Sequence, residues 1–422
     1  MRLDGSPAAV SAILSARLNI DDPAPVGVAL SGGGDSVALL GMAAAWAKAS
    51  GRPLIAFTVD HGLHPDSGAW TLAAGRAAAR AGVRWRALRW EGEKSVVGLP
   101  AAARAARHRL IADAARAEGA RVVLFGHTAD DIQEAGRMRA AGSTVPDPRE
   151  WSASPAWPEG RGVFLLRPML SLRRAALRDW LTARNEVWLE DPANDDLRFA
   201  RARARQEAGQ PAEIHEGPRY DAVAISTNAG RLALDVADGE AGLIARAAVC
   251  AAGGVRPPRG LRTVKLADRI AARETFVATL AGAVIESDGR QVAFARDAGE
   301  RARGGLAPLG LETGEAGVWD GRFAVRAHER GTVAPLLGLQ ARLSRPELAA
   351  LKAIAPRARS ALPAWIGASG AVALPQPFGT APLEADCLVG ARFAAACGRV
   401  GRERDIGARP IQDGAAGLRP LS

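Results

Sequence analysis

The stretch from Val26 to Leu40, VGVALSGGGDSVALL, constrains this chain more than any other. An apolar run meets a glycine-rich turn and then an apolar segment of helical character, which reads as strand, loop, helix. Val26, Val28 and Leu30 suit a buried parallel strand, and Val37 to Ala47 has the Ala and Leu content of a helix packed on it. Between them, Gly32, Gly33 and Gly34 can take positive φ and admit a ligand to the backbone with no Cβ in the way. Ser31, Ser36 and the loop amides point donors at one place, and amides at a helix N-terminus form an anion site. The expected ligand is a phosphate or pyrophosphate.

What the loop lacks narrows the chemistry. There is no GxxxxGK[ST], so no lysine reaches a terminal phosphate. Asp35 instead places a carboxylate among phosphate donors, which is repulsive unless a divalent cation bridges it to the nucleotide. The loop therefore predicts ATP, with Mg2+ at Asp35. A glycine turn in any α/β fold is the bland alternative, and three glycines, two serines and one aspartate together weigh against it. SGGGDS resembles the signature of the PP-loop ATP-pyrophosphatases, which split ATP between the α and β phosphates and transfer AMP to a carbonyl-type oxygen.

Length allows two or three domains in 422 residues. The formal net charge of +10 favours an anionic partner such as nucleic acid, although the Ala, Gly and Arg content of a GC-rich genome produces the same excess. Cys250, Cys387 and Cys397 are odd in number and widely spaced, with no CxxC. That pattern argues against a disulfide framework, a zinc site or an iron–sulfur cluster and fits a reducing cytoplasm. The N-terminal apolar stretch is too short for a secretory signal, and nowhere do 18 uncharged apolar residues run on, so a soluble protein with no membrane partner is expected.

Taken in order, residues 1 to 25 read as a short helix and the DDPAP turn. PLIAFTVD is a second buried strand that ends in VDHGLHPDS. Polar residues just past the carboxyl end of a parallel strand sit where open α/β sheets place their ligands, which makes Asp60, His61, His64 and Ser67 candidates. For the two histidines, a turn pair capping the next helix is the competing role. Trp70 to Ala81 reads as helix, VRWRALRW as a third strand, EGEKSVVGLP as a loop, and residues 101 to 119 as a long helix. On that helix Arg104, Arg107 and His108 lie three or four apart and could clamp a polyphosphate, or be a solvated basic face. RVVLF is the fourth strand and runs into GHTADD. His127, Asp130 and Asp131 again follow a strand's end, where they could hold magnesium or take a proton. A helix cap at Thr128 or Asp130 is the modest alternative.

SGGGDS, VDHGLHPDS, ARAARHRL and GHTADD, in this order and spacing, resemble the tRNA(Ile)-lysidine synthetase family. LLRPMLSLRRAALRDWL (165 to 181) resembles that family's RPLL-type segment and helix. EDPANDDLRFARARAR (190 to 205) resembles its DPSN segment, with Asp191, Asn194, Asp196, Phe199, Arg201 and Arg203 matching. The likeness covers about the first half of the chain. It implies a doubly wound, mostly parallel α/β PP-loop domain followed by smaller helical and α+β domains. It implies an enzyme that uses ATP to join L-lysine to C2 of the wobble cytidine in the CAU-anticodon isoleucine tRNA, releasing pyrophosphate and AMP. ATP contacts then fall to Ser31 through Ser36 with Asp60 and His61, and catalysis to Asp35, Arg104, Arg107, His127, Asp130 and Asp131.

The incoming lysine amine has a free pKa of about 10.4, so presenting it neutral at pH 7 costs roughly 4.6 kcal/mol unless the site helps. Asp130 or Asp131 is the candidate acceptor and His127 the rival. Members usually read DDQxET where this chain reads DDIQEA, so Ile132 replaces a polar residue and Ala135 a threonine, while Glu134, a candidate substrate contact, persists. His108 stands where tyrosine is usual, and residues 136 to 162 read as an irregular loop over the site. Arg198, Arg201, Arg203 and Arg205, interleaved with Phe199, form the densest basic run and could track tRNA phosphates or be an ordinary solvated helix. The expected boundaries are a catalytic domain over 1–210, a tRNA-contacting domain over 211–330 and a small C-terminal domain over 331–422. Beyond 240, helices flank GGVRPPRG, strands run on either side of a tight SDGR turn, and Ser344 caps a helix. A homodimer is left open. A thiolation enzyme ranks lower, since no cysteine precedes residue 250, and a non-catalytic ATP- and tRNA-binding protein is the alternative outside enzymology.

Overall fold

In a computed structural model, residues 7–92, 94, 98–142, 148–152, 163–190, 203–204, 220, 225–226, 229–254, 257–258 and 260–406 are described. The chain divides into two compact units: the first takes residues 1–152, 163–218 and 400–405, the second 153–162, 219–399 and 406–422.

The first unit is built as the glycine stretch dictates. After helix α1 (Pro7–Arg17) come β1 (Val26–Ala29), α2 (Gly34–Ser50), β2 (Leu54–Asp60), α3 (Ser67–Arg80), β3 (Arg84–Arg89), α4 (Leu99–Ala117), β4 (Val122–Leu124), α5 (Ala129–Ala140), β5 (Trp151–Ser152), β6 (Phe164–Leu166) and α6 (Arg174–Thr182). The sheet order is β3-β2-β1-β4-β6-β5. β1 pairs in parallel with β2 and β4, β2 with β3, and β4 with β6, whereas β5 lies antiparallel on β6. The chain starts in the middle, winds to one edge, then returns to the other side of β1. That reversal between β1 and β4 is the switch point at which a doubly wound sheet opens a crevice at its carboxyl edge. Val26, Val28, Leu30, Ile55, Phe57, Val123 and Leu124 are buried, as near-continuous apolar strands of a covered parallel sheet must be.

Two expectations change here. The stretch after GHTADD is regular for longer than expected, because α5 continues to Ala140 and Trp151–Ser152 pairs with β6; the Trp151 indole is buried and donates to the Gly401 carbonyl oxygen at 3.1 Å. Residues 400–405 belong with this unit rather than with the C-terminal part. Buried Arg52 holds them through a 2.7 Å ion pair to Glu403, whose second oxygen accepts from the Asn19 amide.

Among the described residues the second unit contains three antiparallel sheets. β7 (Ile225–Ser226), β8 (Leu232–Asp235), β9 (Thr275–Leu280), β10 (Ala283–Asp288) and β11 (Gln291–Arg296) form one, in the order β7-β8-β11-β10-β9. The helix Ala241–Ala251 packs on it through Leu243, Ile244, Ala247 and Ala248 against Phe276, Ile285 and Phe294. This helix and Leu261–Ala271 flank the glycine-proline break as expected, and Ser344 and Glu347 form a reciprocal capping box at Arg345–Lys352. Position 330 lies inside this unit: β12 (Leu309–Leu311) pairs with β14 (Gly331–Pro335), and β13 (Phe323–Ala327) with β15 (Leu383–Cys387), so two small sheets draw strands from both sides of it. Among the described residues no helix is long and apolar enough to cross a membrane.

Candidate active site

The loop after β1 is tied to itself before any ligand is considered. Buried Ser36 donates its hydroxyl to the Gly33 carbonyl oxygen at 2.8 Å and lies 3.1 Å from the Ser31 hydroxyl, while the Ser31 amide donates to Ser36 Oγ at 3.2 Å. Of the three glycines only Gly32 has positive φ, at 88°, and Gly33 is the extended N-cap of α2. At Gly34 a Cβ would lie 3.3 Å from the Trp188 ring, which would have to give by a few tenths of an ångström. The segment Glu186 to Glu190, absent from the expected site, runs alongside the loop: the Leu189 amide donates to the Gly32 carbonyl oxygen at 2.9 Å. The second loop at the switch point meets the first through Gly126, where a Cβ would sit 3.0 Å from the Asp35 carbonyl oxygen. The carboxyl ends of β1 and β4 thus share one site.

Arg174, at the start of α6, organises the acidic side of that site. Its Nε donates to Asp35 at 3.0 Å, Nη1 to Glu134 at 3.1 Å, and Nη2 lies 3.7 Å from Asp131; its backbone amide donates to Asp130 at 2.8 Å. Burial works against the guanidinium, but the charges of Asp35, Asp131 and Glu134 outweigh it and raise its pKa. Asp35, Asp130 and Asp131, expected at the nucleotide, and Glu134, a candidate substrate contact, are therefore brought together by a residue that sequence reasoning passed over. The cap alternative also holds: buried Thr128 and Asp131 form a capping box, with Asp131 Oδ2 accepting from the Thr128 amide at 2.8 Å and its hydroxyl at 3.0 Å. Asp130 is less committed, with one oxygen on the Arg174 amide and the other 3.6 Å from Arg173. Ile132 and Ala135 are buried on α5, so both departures from the usual DDQxET face the core.

The basic side lies on α4 and after β4 and β6. Arg104 is exposed, Arg107 half-buried and His108 buried edge-on to Phe125, so the three do not share one solvent face as their spacing suggested. Burial first, then the charges of Arg107, Arg104 and Arg167, push the His108 pKa down and keep it neutral. Arg167, also unforeseen, is buried and donates Nε to His127 Nδ1 at 3.0 Å; burial and Arg104 push its pKa down to about 9. His61, half-buried at the end of β2, is lowered by burial and by Arg107. Burial alone would raise Asp60, yet the Gly62 amide and Ser67 hydroxyl bonded to it hold it below the usual range. His64 does serve the turn: its Nδ1 accepts from the Asp66 amide at 3.1 Å and its ring stacks on Trp70.

Among the described residues no group of three acidic, histidine or cysteine side chains could hold a metal by itself. Magnesium is normally held by one or two carboxylates together with phosphate oxygens, and Asp35 stands at the start of α2. Arg198, Phe199, Arg201 and Arg205 lie outside the described residues. Arg203 is exposed in a helical turn whose next residue, Ala204, accepts from Arg137 at 2.6 Å.

Residues 9–211 match the PP-loop domain model. Over 413 residues the chain is 46% identical to the tRNA(Ile)-lysidine synthase of Caulobacter vibrioides, covering 96% of this chain and 99% of that protein. The chain belongs to the tRNA(Ile)-lysidine synthase family. The enzymes of that name from Hyphomonas neptunium and Mesorhizobium japonicum are 36% and 33% identical, over 68% and 78% of this chain and 85% and 79% of theirs. Membership in the lysidine synthase family makes the chain a ligase with an ATP-binding PP-loop domain.

Proposed function

We propose that the chain adenylates the C2 oxygen of the wobble cytidine in the CAU-anticodon isoleucine tRNA and then replaces AMP with L-lysine. The observation that carries this reading is the junction of the two loops, where Gly126 admits GHTADD against Asp35 so that phosphate donors and acidic side chains face one crevice. A ring carbonyl oxygen is a poor leaving group for amine attack. In the first step the C2 oxygen attacks the α-phosphorus and pyrophosphate departs; in the second the lysine amine attacks C2, the C2–O bond breaks and AMP leaves.

The amides of the Gly32 to Ser36 loop hold and orient the phosphates, with Asp60 and His61 at the neighbouring strand end. Asp35 would hold Mg2+ together with phosphate oxygens, and the ion supplies positive charge against that developing on the departing groups. Arg104 and Arg107 supply the same from the protein. Asp130 takes the lysine proton, because Asp131 is already engaged by the helix cap, and Glu134 contacts the substrate amine. Arg198, Arg201, Arg203 and Arg205 with Phe199 follow the tRNA backbone, and the second unit grips the tRNA body. The enzyme works in the cytoplasm, with no membrane partner, and a homodimer is compatible with it.

The test is purified protein with ATP, lysine and the CAU-anticodon isoleucine tRNA. Pyrophosphate should appear only with that tRNA, and AMP and lysidine only when lysine is added as well. ADP as the nucleotide product would overturn the reading.

A further inference from the structure

His127 and Arg167 form a pair that decides what the histidine can do. Arg167 follows β6, and its position is set from outside the site: its amide donates to the Glu150 carbonyl oxygen at 2.9 Å and Nη1 to the Arg149 carbonyl oxygen at 2.7 Å. From there Nε donates to His127 Nδ1 at 3.0 Å, and the imidazole lies parallel to the Phe125 ring, 6.0 Å between centroids. A guanidinium has donors and no acceptor. Nδ1 must therefore be the unprotonated nitrogen, since an N–H there would point at the Arg167 N–H. A neutral imidazole has one lone pair, and Arg167 occupies it; the remaining ring nitrogen, Nε2, carries the proton.

We propose that Arg167 is a positioning residue that locks His127 as a neutral Nε2–H donor, so that His127 binds a reacting oxygen and does not accept the lysine proton. This rests on the two-step reaction proposed above. The oxygen class is phosphate, because both steps build negative charge on phosphoryl oxygens, on pyrophosphate in the first and on AMP in the second. Removing the rival base leaves the proton to the carboxylate side, at Asp130. Burial of Arg167 strengthens the lock, as its guanidinium, still charged with a pKa pushed down to about 9, has little solvent to turn to.

Two measurements test it. The chain has six histidines, so 15N-histidine labelling and long-range proton–nitrogen spectra at neutral pH, assigned through His127→Gln, report the tautomer directly in the unliganded enzyme. The Nε2–H form is expected, converting to a tautomer mixture or an imidazolium in Arg167→Met and returning in Arg167→Lys; an Nδ1–H or charged His127 in the native chain overturns the proposal. Kinetically, His127→Ala should lose on the order of 100-fold in both half-reactions, and His127→Gln, which keeps a donor but cannot take a proton, should recover most of it. Arg167→Met should lose on the order of tenfold in rate with little change in KM for ATP. If His127→Gln adenylates normally but fails to transfer lysine, the histidine is the base and the proposal is wrong. If no lysidine forms even with the native chain, the reading of function fails while the tautomer result stands on its own.

Discussion

The carboxylates around Arg174 and the arginines around His108 stand at the same edge of one sheet and meet opposite demands. On the acidic side Asp35, Asp131 and Glu134 surround a single guanidinium, which holds its proton more firmly than usual. On the basic side Arg104, Arg107 and Arg167 crowd a histidine that stays neutral, and Arg167 itself is pushed down by burial and by Arg104. One side contains a cation among its anions; on the other, arginines stand near one another around a neutral histidine.

The largest break in this contrast is Asp35→Asn, which removes the carboxylate of the SGGGDS loop. Pyrophosphate release should fall about 10²- to 10³-fold, and an unchanged rate would remove Asp35 from the chemistry. Next, Arg174→Met leaves nearly buried Glu134 beside two other carboxylates, and urea unfolding should show a loss of about 3 kcal/mol. Adding Glu134→Gln should restore part of that loss; no restoration would mean that Arg174 acts by packing alone.

A smaller effect tests the basic side. His108 has a depressed folded pKa, so below its unfolded value near 6.5 the unfolded chain takes up a proton that the native chain refuses. Its contribution to stability is complete above that pH and is lost as the pH falls, with a slope of up to about 1.4 kcal/mol per pH unit. His108→Phe should flatten that slope between about pH 6.5 and 5. Smallest is the effect expected of the basic run at 198–205: reversing Arg201 and Arg203 to Glu should weaken tRNA binding while sparing ATP binding, and should lower the salt slope by about one for each phosphate no longer neutralised. Unchanged tRNA affinity would confine anion binding to the crevice.

The sequence alone determined the strand–loop–helix at Val26 to Leu40, the four parallel strands ending in polar clusters, and the capping of α5 and of the helix after Ser344. These follow from local rules, namely apolar runs of strand length, glycine where a side chain has no room, and Ser or Thr three residues before an acid. Only the tertiary structure decided what stands opposite them. Arg174 and Arg167 sit in a segment whose local pattern says only turn and helix, and they reach Asp35 and His127 because β6 lies beside β4, a pairing of Val122 with Phe164 that no periodicity encodes. The same holds for His108, whose one-turn spacing from Arg104 suggested a shared face while the packing of α4 turned it into the core. Spacing along a chain fixes direction from a helix axis, but which direction is solvent and which is interior depends on the elements that arrive from elsewhere.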